Sequence, residues 1–260
     1  MRKYFFWLAL SACFQTSAQD LSDSLSKYSY LVQTNDKGLR SQATGFFVRY
    51  QHRLFFITAA HCLTGWDPFV FKKIENFPDT VFIRLSNDTS QLNYLSLPIA
   101  GIKKAAKPFR EYESPDVHVV EIKDAKKYAV FSVEQYFEEE VKCELARTVF
   151  VSGYPHAEGY NDYLRDRQQP FTSAGALGDA YCIYSFRPEV KQYDPLNYFT
   201  KLNDATGPGL SGAPAYILTE DQTIVFGGIY IGGAAKATRT GMIVRPEYVM
   251  SKIKAKIFDK

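Results

Sequence analysis

The chain has little of what metal centres, disulfide scaffolds and nucleic-acid clamps are built from. It carries four cysteines and four histidines in 260 residues. No two of these have ligand spacing except the neighbours His61 and Cys62, which argues against a Cys/His metal site. No motif for a nucleotide or other organic cofactor is present, so none is expected. Net charge is only +3, and Arg2 and Lys3 at the extreme N-terminus account for two of those positives. The remainder is nearly neutral and offers no basic field for nucleic acid. Aromatics make up 15% of the residues and fall in strand-like runs rather than among lysines. Long amphipathic helices between those runs are missing, which excludes an alternating α/β layout.

The single sustained apolar run, Tyr4 to Ala12, is too short to stay in a bilayer as a helix. It follows Arg2 and Lys3 and leads into small residues, so residues 1–18 read as an export signal. Cleavage after Ala18 would release a soluble protein into the periplasm or the medium, starting at Gln19. Leu10-Ser11-Ala12-Cys13 also matches a lipoprotein box, and lipidation of Cys13 would give the chain its one contact with a membrane. Residues 19–29, rich in Ser and Asp, read as a linker.

From residue 30 onward the pattern is that of short strands. Phe46 to Tyr50 and Leu54 to Thr58 form a hairpin with Gln51-His52 at its tip. Val81 to Leu85, Leu92 to Leu97 and Val117 to Ile122 follow, with prolines and glycines punctuating the gaps. Residues 30–125 thus make one β lobe, and Lys123 to Glu140 crosses to a second, which occupies residues 126–245. Its strands are Thr148 to Ser152, Tyr181 to Phe186, Tyr198 to Leu202, Ala215 to Leu218, Ile224 to Ile231 and Met242 to Val244. A polar loop runs up to about Gly178 between the first two. Pro246 opens a helix over 246–260, with Val249, Ile253 and Ile257 on one face. Its lysines lie near the C-terminus, where they suit the helix dipole. This layout predicts an antiparallel barrel or sandwich.

Three stretches carry chemistry. In Gly207-Pro208-Gly209-Leu210-Ser211-Gly212-Ala213-Pro214, glycines on both sides of a serine suit a tight turn whose amides converge while the hydroxyl stays accessible. A serine hydroxyl is a weak nucleophile and needs a base, which in turn needs an orienting group. Thr58-Ala59-Ala60-His61-Cys62 offers the imidazole, and Asp116, where a loop enters an apolar strand, offers the carboxylate. The order His, Asp, Ser is one of the chain orders in which the catalytic triad occurs. His118, two residues beyond Asp116, reads as a hydrogen-bonded core histidine, and His52 and His156 as loop residues.

With these motifs the chain resembles the chymotrypsin-like, trypsin-fold serine peptidases, nearest to the bacterial glutamyl-endopeptidase branch, from about Tyr30 to the C-terminus. The resemblance implies an all-β fold of two antiparallel six-stranded β-barrels with the active site between them and a C-terminal helix. It implies a His61, Asp116, Ser211 triad, an oxyanion hole from the Gly209 and Ser211 amides, and protein or peptide substrates. The substrate pocket would involve Thr206, Tyr230, Gly232, Gly233 and Gly241. Thr206 matches a threonine of the glutamyl branch, whereas Tyr230 stands where that branch has its pocket histidine. The three glycines imply an open pocket wall, and Ala205 stands at the trypsin-like base in place of an Asp. An uncharged P1 side chain follows.

Two departures matter. The family's cysteine partner for Cys62 is absent between Gln42 and Phe47, and Cys143 and Cys182 either pair with each other or remain free thiols. Leu210 replaces the Asp or Asn usual before the serine, so it cannot receive a freed N-terminal amine, and activation of the animal type is not expected. The same leucine supports the alternative of a catalytically silent trypsin-fold binding module.

Overall fold

The computed structural model describes residues 20–34, 42–66, 72–86, 92–107, 115–137, 147–155, 169–183, 191–206, 208–232 and 238–258. Among these described residues, twelve strands fall in two groups. The first group is β1 (Tyr30–Gln33), β2 (Gln42–Tyr50), β3 (Arg53–Thr58), β4 (Thr80–Arg84), β5 (Tyr94–Pro98) and β6 (His118–Ile122). They form a curled sheet in the order β5-β4-β1-β2-β3-β6. The second group is β7 (Thr148–Gly153), β8 (Phe171–Ile183), β9 (Lys191–Thr206), β10 (Ala213–Leu218), β11 (Ile224–Gly232) and β12 (Thr238–Val244). These close into a barrel, β10-β11-β12-β9-β8-β7, and every pairing in both groups is antiparallel.

The β2–β3 hairpin turns at Gln51 and His52, both with positive φ (49° and 63°), as a two-residue hairpin loop requires. Its register pairs Tyr50 with Arg53 and Gly45 with Thr58. Each group encloses its own apolar core: Phe47, Phe56, Leu63, Val81 and Ile83 in the first, and Val149, Val151, Ala215, Ile217 and Ile243 in the second. A third cluster joins them, with Phe46, Phe55 and Ile57 from the first sheet meeting Tyr216, Phe226 and Ile229 from the barrel. A short helix α3 (Ala100–Ala105) follows β5, and helix α4 (Pro246–Phe258) seals this seam with Val249 and Ile253, both buried.

Residues 20–26 are helical (α1) rather than part of a linker. Leu25 and Tyr28 enter the seam cluster, Ser29 Oγ donates to Ser152 O at 2.8 Å, and Thr172 Oγ1 donates to Ser22 O at 3.3 Å. The segment is polar overall, and its apolar pair Leu21 and Leu25 is too short a stripe to register as helical periodicity. The polar loop expected up to Gly178 is likewise strand from Phe171 onward. Its small residues give no period-2 signal, and β7 and β9 pair with it on both edges. Residues 138–146, including Cys143, lie outside the described residues, as do the side chain of Cys182 and all of His156.

Candidate active site

Strands β3 and β6 pair with Thr58 opposite His118. Continuing that register two residues past the ladder brings Ala60 level with Asp116, and Ala60 N–H donates to Asp116 O at 3.3 Å. The chain then turns into α2 (His61–Thr64), which Gly65 ends in the left-handed conformation (φ 72°). At its first residue, His61 meets the Asp116 carboxylate twice. Its backbone N–H donates to Oδ1 at 3.0 Å, and Nδ1 lies 2.6 Å from Oδ2. Asp116 is 2% exposed and the His61 side chain 15%. With the Nδ1 proton held by the carboxylate, the neutral ring presents Nε2 as a proton acceptor. Burial disfavours the charged ring, but the Asp116 carboxylate and the neighbouring Cys62 sulfur outweigh it, so the His61 pKa stands well above the ordinary 6.5.

The Ser211 turn belongs to the barrel and is fastened from both lobes. Thr44 N–H, on β2, donates to Ser211 O at 2.9 Å, and Gly212 N–H donates to Tyr230 O, on β11, at 2.7 Å. Thr44 Oγ1 donates to Gly209 O at 2.8 Å and accepts from Tyr154 N–H at 3.0 Å. Gly209 and Gly212 have φ of 104° and 91°, a region that L side chains rarely adopt. A Cβ on Gly212 would fall 2.0 Å from Thr44 O and 2.2 Å from Thr58 Oγ1, so only glycine lets the turn dock this closely. Cys62 Sγ lies 3.8 Å from Ser211 O, which sets the serine turn beside the His61 helix. Among the described residues, the Gly209 and Ser211 amides donate to no other group, and no hydrogen bond joins Ser211 to His61.

Leu210, the departure noted in sequence, is 1% exposed and belongs to the barrel core with Val151, Ala213 and Tyr230. Its Cδ2 lies 2.9 Å from where a Cβ of Gly153 would be. Among the described residues the turn is therefore anchored by apolar packing and by hydrogen bonds to Thr44 and Tyr230 rather than by a charge. Of the expected pocket residues, Tyr230 is buried with its ring against Gly241, so the space over Gly241 is filled rather than open. Gly232 borders the serine: its Cβ would sit 3.3 Å from Ser211 Oγ. Thr206 pairs with Thr238 at the end of β9, its side chain lies outside the described residues, and so does Gly233.

Thr44 and Tyr154 carry no motif that sequence reasoning could have singled out; they matter because the lobes bring them to the turn. His118 is half-buried, and burial together with Lys256 and Lys252 of α4 lowers its pKa to about 4, so it is neutral where His61 titrates. Among the described residues no group of three or more His, Cys, Asp or Glu is placed to hold a metal.

No protein-family model and no curated protein matches the sequence. Solved structures do. The chain is similar to a scabies mite inactivated protease paralogue, SMIPP-S-I1, at 15% identity and TM-score 0.56, covering 91% of this chain and 96% of that one. It is similar to the active form of the Rv3671c protease from M. tuberculosis at 15% identity and TM-score 0.51, covering 89% and 82%. The fold is the chymotrypsin-like double barrel. A third neighbour, the HtrA-type protease AlgW with tripeptide, has 11% identity and TM-score 0.54 over 90% of this chain and 61% of that chain. Two of these three neighbours are proteases and one is an inactivated protease paralogue, and none of the three is a glutamyl endopeptidase by its name. At such identities the likeness fixes the fold alone.

Proposed function

We propose that this chain is an exported serine endopeptidase acting through Ser211, His61 and Asp116. The observation that carries this reading is the double contact of the Asp116 carboxylate with His61, made beside a serine turn that is pinned at both carbonyls by Thr44. In the reaction His61 Nε2 takes the Ser211 hydroxyl proton as Oγ bonds to the scissile carbonyl carbon. The carbonyl oxygen gains the negative charge and is received by the unengaged Gly209 and Ser211 amides. Collapse breaks the C–N bond, and His61 returns the proton to the leaving amine. Water, deprotonated by the same imidazole, then attacks the acyl-enzyme and releases the carboxylic acid and Ser211. Asp116 holds the tautomer and stabilises the imidazolium. Export of the chain, by a leader cleaved after Ala18 or by lipidation of Cys13, belongs to this proposal.

Placement near the glutamyl branch rests on Thr206 alone, and Tyr230 in place of that branch's histidine removes the reason to expect acidic specificity. A silent binding module remains the second reading, favoured by the missing Ser211–His61 hydrogen bond, although such bonds often tighten only with substrate. Fluorophosphonate labelling of the purified mature protein, beside Ser211→Ala and His61→Ala, decides between them. Labelling lost in both variants is expected; folded wild type that does not label overturns the hydrolase reading.

A further inference from the structure

Building on that reading, we propose that Tyr230 occupies this protein's own primary specificity pocket, so that the enzyme cleaves after small residues: glycine, alanine or serine. The position of Tyr230 is set by backbone. Its carbonyl accepts the Gly212 N–H at 2.7 Å, and its ladder partners are Ala213 on β10 and Ile243 on β12. It is thus the strand residue hydrogen-bonded to the serine turn. Gly232, two residues further along β11, reaches Ser211 Oγ, so a substrate seated on that hydroxyl lies against this part of the strand.

The wall is bare at its rim. Gly232, with φ 96°, brings main chain to Ser211 so closely that a Cβ there would stand 3.3 Å from Oγ. Two residues earlier on the same strand, Tyr230 turns its ring into the barrel. That ring is 1% exposed and packs with Leu210, Ala213, Leu202, Tyr198 and Ile243 as one apolar cluster. Its far edge lies on Gly241: a Cβ at Gly241 would fall 2.3 Å from Cε2, 2.4 Å from Oη and 2.6 Å from Cζ. The glycine at 241 therefore makes room for the protein's own tyrosine and not for a ligand. With that volume taken up by the ring, little depth is left behind Gly232 for a P1 side chain. A packed pocket distinguishes substrates by roughly 10- to 200-fold per methylene, so side chains longer than a methyl or hydroxymethyl group are rejected.

The test uses the mature full chain and phosphonate probes. A fluorophosphonate without a P1 side chain reports Ser211 reactivity, and peptidyl diphenyl phosphonates with Ala, Phe, Lys or Glu at P1 report the pocket. Wild type is expected to react with the fluorophosphonate and the Ala probe, and at least about tenfold more slowly with the other three. Tyr230→Val is expected to raise the Phe rate relative to Ala by about tenfold or more, whereas Tyr230→Phe keeps the small-residue ranking. Should Tyr230→Val fail to fold, Tyr230→Leu and the wild-type ranking decide. Fluorophosphonate labelling combined with a preference for Phe, Lys or Glu overturns this inference and leaves the hydrolase reading standing. An unchanged ranking in folded Tyr230→Val does the same. Absence of any fluorophosphonate labelling overturns both.

Discussion

Leu210 gives the sharpest prediction, because sequence and structure assign it opposite meanings. In sequence it is a departure that suggests an impaired site; in the fold it is buried at 1% exposure in the barrel core, between Gly209 and Ser211 of the serine turn. Leu210→Ala removes about three carbons from that core, about 2.4 kcal/mol at ~0.8 kcal/mol per buried methylene. Its neighbours include Ala213 and the main chain around Gly153, which have little side chain with which to refill the space, so a cavity cost adds to this and the total should reach about 3–5 kcal/mol. Leu210→Asp is expected to be worse, because it buries a carboxylate where the described neighbours are apolar. Urea unfolding of mature wild type and both variants, read at the midpoint with the slope checked for constancy, measures the cost. Fluorophosphonate labelling under native conditions measures the turn. Both variants should unfold earlier and label more slowly than wild type. A loss below about 1 kcal/mol in Leu210→Ala, or faster labelling of Leu210→Asp, would refute the apolar-anchor account.

Three further outcomes follow from the same geometry. Thr44→Val keeps the shape but removes the donor to Gly209 O and the acceptor for Tyr154 N–H; two buried groups lose partners at about 1–3 kcal/mol each, and labelling of Ser211 should slow while Thr44→Ser largely restores it. The raised His61 pKa means that the neutral base accumulates only as pH rises through a value well above 6.5, so kcat/KM should climb on the alkaline side of neutrality, and Asp116→Asn should move that limb to lower pH while cutting turnover by roughly 10⁴. The stability from charged His61 has the opposite course, full below its unfolded pKa and lost as pH rises through the folded one. His118 behaves in reverse: its pKa falls from 6.5 to about 4 on folding, so its contribution is present above about 6.5 and lost as pH falls towards 4. That is worth about 3 kcal/mol, visible as a lower urea midpoint at pH 4.5 than at pH 7, and His118→Leu should flatten the difference.

Local signals in the chain carried the class of the fold and the three side chains proposed to react. Period-2 runs fixed most strands, the polar Gln51-His52 pair fixed a hairpin tip, and the stripe of Val249 and Ile253 fixed α4, because each depends only on near neighbours. The stretches around His61, Asp116 and Ser211 stood out for the same reason: a motif is a local pattern. Other features were settled only by the long-range pairing of strands. Residues 20–26 became a docked helix because the seam between the lobes accepts Leu25, and residues 171–178 became strand because β7 and β9 flank them. Thr44, a plain strand residue in the sequence, holds the serine turn only because β2 passes beneath it. Leu210 changed from a defect to an anchor once the barrel supplied apolar neighbours. Tyr230 and Gly241 are far apart in the chain's local patterns, and the β11–β12 pairing puts the ring of one into the space left by the other. A sequence records which side chains are present; which of them share a volume is decided when the barrel closes.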